Sequence, residues 1–222
     1  MSKKKNAIVH SVKHSETDYA KGLRYLRRRF PEFKTLSDNF KPEFNLKTKR
    51  SLYESLIRAV ANQQLHMKAA ATITSRFIAL YPGKKFPTPE QVLNTSDEVL
   101  RGCGFSSNKV KAIKEIALKT VEGVVPSKKE TAKLSNEELI ARLVPLRGIG
   151  QWTVEMVLLF QLGRLDIWPV DDFGIRRGYQ IWKGLKTMPT AKELKHEGDP
   201  YAPYQSILSL HLWQLSNTTK SV

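Results

Sequence analysis

Three short stretches of this 222-residue chain hold residue types able to do chemistry. In "LRGIGQW" (146–152), Gly148 and Gly150 stand two apart and Trp152 follows two residues later. Glycine inside a helix costs roughly 1 kcal/mol against alanine, so this pair belongs where the backbone turns or lets something approach. In "RLDIWPVDDFGIRRGY", Asp171 and Asp172 follow a proline and precede a basic run. A carboxylate can stabilise positive charge developing beside it, or cap a helix by accepting an amide hydrogen bond. Adjacent helical residues point about 100° apart, so the two do not share one task, and the spacing does not choose between them. The third stretch, "NQQLHM", is too polar for a core and reads as a loop or helix start carrying Gln63, Gln64, Leu65 and His66.

The elements that must position these residues read as all-α. Ser51 with Glu54, Thr88 with Gln91, Ser135 with Glu138 and Thr190 with Glu193 have capping-box spacing, in which each partner satisfies an orphan amide of the first helical turn. Leu52, Tyr53, Leu56, Ile57, Val60 and Ala61 recur at helical spacing as one buried stripe. A second helix runs through Ala69, Ala70, Ile73 and Phe77 and stops before Tyr81-Pro82-Gly83. Two short helices and a longer one ending at Gly123 follow, then "SNEELIARLVPL" and, after Gly150, "GQWTVEMVLLFQLG". "YAKGLRYLRRRFPEF" reads as a basic helix behind a frayed basic tail over 1–20. No repeat and no linker divides the chain, so 1–222 is expected to form one compact unit.

Composition narrows the partners. Lys and Arg total 37 against 21 for Asp and Glu, a net charge of +16 that points to a polyanion. No apolar run approaches the roughly 18 residues of a membrane-spanning helix and no secretory leader opens the sequence, so nucleic acid is favoured over a membrane surface. The single Cys103 excludes an intrachain disulfide and a four-cysteine iron–sulfur cluster, and reads as a small buried apolar residue. His10, His14, His196 and His211 lack metal-ligand spacing, and there is no phosphate-cradling nucleotide motif, so neither metal nor cofactor is expected.

Helix, Leu146 to Gly150, helix is the pattern of a helix-hairpin-helix over 136–160. Amides of Arg147, Gly148, Ile149 and Gly150 facing outward beside a helix N-terminus would hold a DNA phosphate without reading any base. With this motif in place, "RAVANQQLHMKAA", "CGFSSNKVKAI", "LVPLRGIGQWTVEM", "WPVDDFGIRRG" and "PYQSILSLHLW", in that order over about three quarters of the chain, resemble the helix-hairpin-helix DNA glycosylase superfamily, and its 3-methyladenine branch in particular. Arg147 and Gln205 stand where many relatives have proline and arginine, and His66 where Ser or Thr is common. The resemblance implies two helical lobes with a cleft between them, in a compact version without a β-containing N-terminal domain.

The same resemblance implies the chemistry. Members with lyase activity carry a lysine where this chain has Trp152, and an indole cannot form a Schiff base. A monofunctional glycosylase is implied, which hydrolyses the N-glycosidic bond of an alkylated purine such as 3-methyladenine and leaves an abasic site. Lys109 and Lys111 read as DNA-facing or solvated charges. Matching the family's motif puts the catalytic aspartate at Asp172, stabilising oxocarbenium charge on the sugar, with Asp171 in support. Trp152 and Trp213 are the candidates for the base-binding cleft, where an indole face attracts a cationic base; Trp168 and Trp182 have no such support. Gln63, Gln64, Leu65 and His66 are the candidate minor-groove wedge that fills the gap left by the flipped nucleotide. The expected partner is double-stranded DNA containing alkylated bases or abasic sites, bound by a monomer in cytoplasm or nucleus. A related lyase, or a damage-recognition module without turnover, are the competing readings.

Overall fold

The computed structural model describes residues 16–42 and 50–219. Every regular element among them is helical. The described residues divide into two compact units, one of residues 50–157 and one of residues 16–42 with 158–219.

The first unit contains α3 (Leu52–Asn62), α4 (Met67–Ala79), α5 (Pro89–Asn94), α6 (Asp97–Gly102), α7 (Ser107–Val121), α8 (Lys128–Thr131), α9 (Asn136–Leu143) and the start of α10 (Gln151–Phe160). The expected stripe on α3 is buried, and with Phe77, Leu100, Ile113, Ile116, Leu139 and Leu143 it supplies the core. Phe77 sits edge-on to Tyr81, Phe86 and Phe105, an arrangement that places ring edges against the negative faces of their neighbours. Cys103 is buried here, its Sγ 3.6 Å from the Val99 carbonyl, and burial pushes the thiol up from its ordinary pKa.

The boxes at Thr88, Ser135 and Thr190 close on both sides. The one at Ser51 is half formed: Ser51 Oγ accepts the Glu54 amide, but the Glu54 carboxylate turns to Arg58 at 2.8 Å instead of returning to the cap. A further complete box, Ser127 with Glu130, begins α8.

The second unit holds α1 (Glu16–Arg29), α2 (Pro31–Asn39), the end of α10, α11 (Phe173–Lys183), α12 (Ala191–Leu194) and α13 (Gln205–Thr218). Helix α1 begins inside the segment expected to be a frayed tail. Tyr19 and Leu23 pack against the unit's core, and that burial keeps the first turns helical; residues 1–15 lie outside the described residues. Trp168 and Trp182 pack against the same core. Helices α11 and α13 approach so closely that a Cβ on Gly178 would lie 2.2 Å from the Leu212 carbonyl oxygen. Ser206, fully buried on α13, donates to the Arg164 carbonyl and accepts the Ile167 amide, which ties the segment leading to Asp172 onto α13.

Candidate functional site

The first unit carries the hairpin and the polar loop. Helix α9 ends at Leu143, and the chain turns through Leu146, whose carbonyl accepts the Ile149 amide at 3.0 Å. Gly148 has φ +73, which disfavours any residue with a Cβ. Gly150 has no such constraint, and a Cβ built on it meets no atom of the described residues within 4 Å. Its glycine therefore leaves open backbone beside the N-terminus of α10. The buried Ile149 side chain anchors the turn from inside. The Arg147 amide donates to Glu115 Oε1 at 3.0 Å, and its guanidinium lies 3.9 Å from the other oxygen. Two of the four hairpin amides, those of Arg147 and Ile149, are thus engaged within the chain. Those of Gly148 and Gly150 donate to no acceptor among the described residues.

The loop between α3 and α4 lies against that hairpin. Gln63 Nε2 donates to the Gly148 carbonyl at 2.8 Å, so this amide bridges loop and hairpin. Gln64 has φ +56, the left-handed region, which costs a residue with a Cβ about 1–2 kcal/mol. Leu65, 40% exposed, and His66, also exposed, follow it to the start of α4. Lys109 was expected to face DNA or solvent; its ammonium instead donates to the Ala61 and Gln63 carbonyls at 3.0 and 2.9 Å. Trp152 stands in the first turn of α10, 45% exposed.

The second unit holds the carboxylates. Asp172 is the N-cap of α11 and only 9% exposed, whereas its neighbour Asp171 is exposed. Asp172 Oδ1 accepts the Ile175 amide at 3.0 Å and the Trp213 indole N–H at 2.6 Å. Two donors on one oxygen of an anion fix the plane and direction of the carboxylate. The Trp213 ring stacks on Phe160, centroids 5.5 Å apart and planes 28° from parallel. Gly174 makes room for it, since a Cβ there would lie 2.5 Å from the indole Cδ1. Phe160, Trp213 and Gln214 line a groove of about 450 Å³ with Pro42, Leu210, Asn217 and Thr218. Arg176 and Arg177, the basic run after the aspartates, donate to the Pro189 and Thr219 carbonyls. No cluster of three His, Cys, Asp or Glu able to hold a metal occurs among the described residues.

Comparison with known families matches residues 57–203 to the model of the HhH-GPD superfamily base excision DNA repair protein, more than half of the chain. The chain belongs to the HhH-GPD superfamily. It is 44% identical over 82% of its length to DNA-3-methyladenine glycosylase 1 of Schizosaccharomyces pombe, covering 79% of that protein. It is 37% identical over 73% of its length to the alkylbase DNA glycosidase-like protein mag2 of the same organism, covering 77% of it. Among solved structures it resembles the S. pombe 3-methyladenine DNA glycosylase Mag1 in complex with abasic DNA, with a TM-score of 0.78, 40% identity and coverage of 91% of this chain and 99% of that one.

For this HhH-GPD chain, two contacts beside the candidate residues had no sign in the sequence. Phe160 closes an apolar helix and carries no local sign that its ring stacks on Trp213. The Lys109 position offered charge but not direction, because a lysine's flexible stem leaves the reach of its ammonium undetermined by helical spacing.

Proposed function

We propose that this chain is a monofunctional DNA-3-methyladenine glycosylase of base excision repair, acting on double-stranded DNA wherever the cell holds it, cytoplasm or nucleus. Carrying that reading is the buried, doubly hydrogen-bonded Asp172 beside an indole. Breaking an N-glycosidic bond develops positive charge on the sugar until water adds at C1′ and gives up a proton, and an oriented carboxylate stabilises that charge without reorganising at the moment of reaction. An alkylated purine already carries positive charge and leaves readily, so no strong general acid is required. Trp152, exposed in the first unit, and Trp213, beside Asp172 in the second, each carry an indole of the kind that attracts a cationic base, a contact worth roughly 0.5 to 2 kcal/mol.

The open amides of Gly148 and Gly150 beside the start of α10 suit a DNA phosphate. The loop Gln63, Gln64, Leu65 and His66 is read as the wedge, and the bond from Gln63 to the Gly148 carbonyl, which ties it to the hairpin, supports that reading. Lyase chemistry is disfavoured by the chemistry of the residues: Trp152 offers no amine, and the Lys109 ammonium is engaged by two carbonyls. The decisive experiment is base release from methylated duplex DNA by the wild-type chain and by Asp172→Asn, with and without alkali. Wild type is expected to release base and to yield strand breaks only after alkali, and Asp172→Asn to be slower by on the order of a hundredfold or more. Strand breaks without alkali would establish a lyase. Tight binding to abasic DNA with no release by wild type would establish a recognition module without turnover.

A further inference from the structure

Lys109 is the third residue of α7, and its backbone is held there by the Ser106 cap. Its side chain reaches 48 residues back along the sequence to the last turn of α3. The final carbonyls of a helix lack amide partners and carry the negative end of the helix dipole, so a cation with several donors suits that position. Lys109 supplies both, to Ala61 and to Gln63, at 3.0 and 2.9 Å. Partial burial of the ammonium lowers its pKa from the ordinary lysine value, as desolvation of a cation requires. Lys111, on the same helix, is exposed.

Gln63 is therefore held twice, its carbonyl by Lys109 and its side-chain amide by the Gly148 carbonyl at 2.8 Å. The next residue, Gln64, has φ +56, a backbone state that persists only where the surroundings impose it. Leu65 and His66 follow with exposed side chains, and the His66 side chain makes no cap bond of its own to hold the start of α4. The path of the exposed tip thus depends on what fixes Gln63.

We propose that Lys109 is a positioning residue for lesion recognition, which sets the shape of the Gln64–His66 wedge from behind and locks it to the hairpin without itself contacting DNA. This rests on the reading of that loop as the wedge. The function is distinct from the one a surface lysine performs, because a phosphate contact adds affinity for all duplexes alike, whereas a positioned wedge adds affinity only where a nucleotide is missing or displaced.

The test compares binding to a duplex carrying a tetrahydrofuran abasic analogue with binding to the same duplex undamaged, over a salt series, for wild type, Lys109→Met and Lys111→Met, with folding followed by thermal melting. Met keeps the apolar stem and removes the donors. The expected result is a loss of tenfold or more in the abasic-over-undamaged preference of Lys109→Met, with undamaged affinity and the slope of log affinity against log salt equal to wild type. An unchanged preference overturns the proposal. So does equal weakening on both duplexes with the salt slope reduced by about one, the signature of a lost phosphate contact. If wild type shows no preference, the wedge reading itself falls, an outcome independent of Lys109. Should Lys109→Met melt below the assay temperature, the binding series is run for all three proteins at a lower temperature where it is folded, with the same outcomes.

Discussion

Asp172 combines two tasks that chemistry can separate. As N-cap of α11 it accepts the Ile175 amide, and as an anion it receives the Trp213 indole N–H. Asparagine is as good an N-cap as aspartate, while alanine loses about 1 kcal/mol at such a position. Asp172→Asn is therefore expected to melt close to wild type, whereas Asp172→Ala melts lower by the equivalent of about 1 kcal/mol or more, since the half-buried indole N–H also loses its acceptor. Parallel melting curves check this, and an Asn variant that melts as low as the Ala variant would show that the charge, not the cap, holds α11. Sequence spacing left Asp171 and Asp172 equivalent because both follow Pro169 within three residues and either could cap. What distinguishes them in space is Trp213, 41 residues further on, a contact that no local pattern carries.

At the level of elements, helix starts were the most legible feature, because a cap and its partner are three residues apart and both lie in the string. Three of the four expected boxes close, and the box at Ser127 has the same spacing in "SKKE". The half-formed box at Ser51 shows where the rule ends: Arg58, one turn further on, offers Glu54 an ion pair in place of the cap amide. The packing of α11 on α13 was not legible, since "FGIRRGY" reads locally as a poor helix with two glycines four apart. Their reason lies on the other helix, as Gly174 admits Trp213 and Gly178 admits the Leu212 backbone. Gly178→Ala sets two effects against each other. Alanine gains up to about 1 kcal/mol of helix propensity, but its Cβ would lie 2.2 Å from a carbonyl that cannot rotate away. Overpacking of this kind costs about 1–3 kcal/mol or more, so the clash wins and the variant is expected to lose stability in chemical denaturation. Stability equal to or above wild type would mean that the two helices can separate at no cost.

At the level of the whole molecule, a helical reading could not assign residues 16–42 to the same unit as 158–219, because that association rests on contacts across more than a hundred residues. Tyr201 donating to Glu32 and Phe33 meeting the edge of His211 at 5.0 Å are examples. His211 also gives the molecule a dependence on pH that composition does not suggest. Its Nδ1–H donates to the Ile207 carbonyl at 2.7 Å, and burial, with a smaller contribution from the Arg27 charge, lowers its pKa from 6.5 to about 4. The unfolded chain, with an ordinary histidine, takes up a proton as pH falls through about 6.5, while the folded chain resists until about 4. Protons bind preferentially to the unfolded state across that window, so stability falls with decreasing pH there, by about 3 kcal/mol in all. Above pH 7 this group contributes no slope. The low-pKa Glu32, held by Lys183 and Tyr201, acts in the same direction, but only below the ordinary carboxylate range. Melting wild type and His211→Gln between pH 7.5 and 4.5 isolates the contribution. The variant is expected to be less stable at pH 7.5, having lost a packed ring, and to decline less steeply between pH 6.5 and 4.5. Equal slopes for the two proteins would mean that self-repulsion of a chain carrying +16 at pH 7, and not the buried imidazole, governs its response to acid.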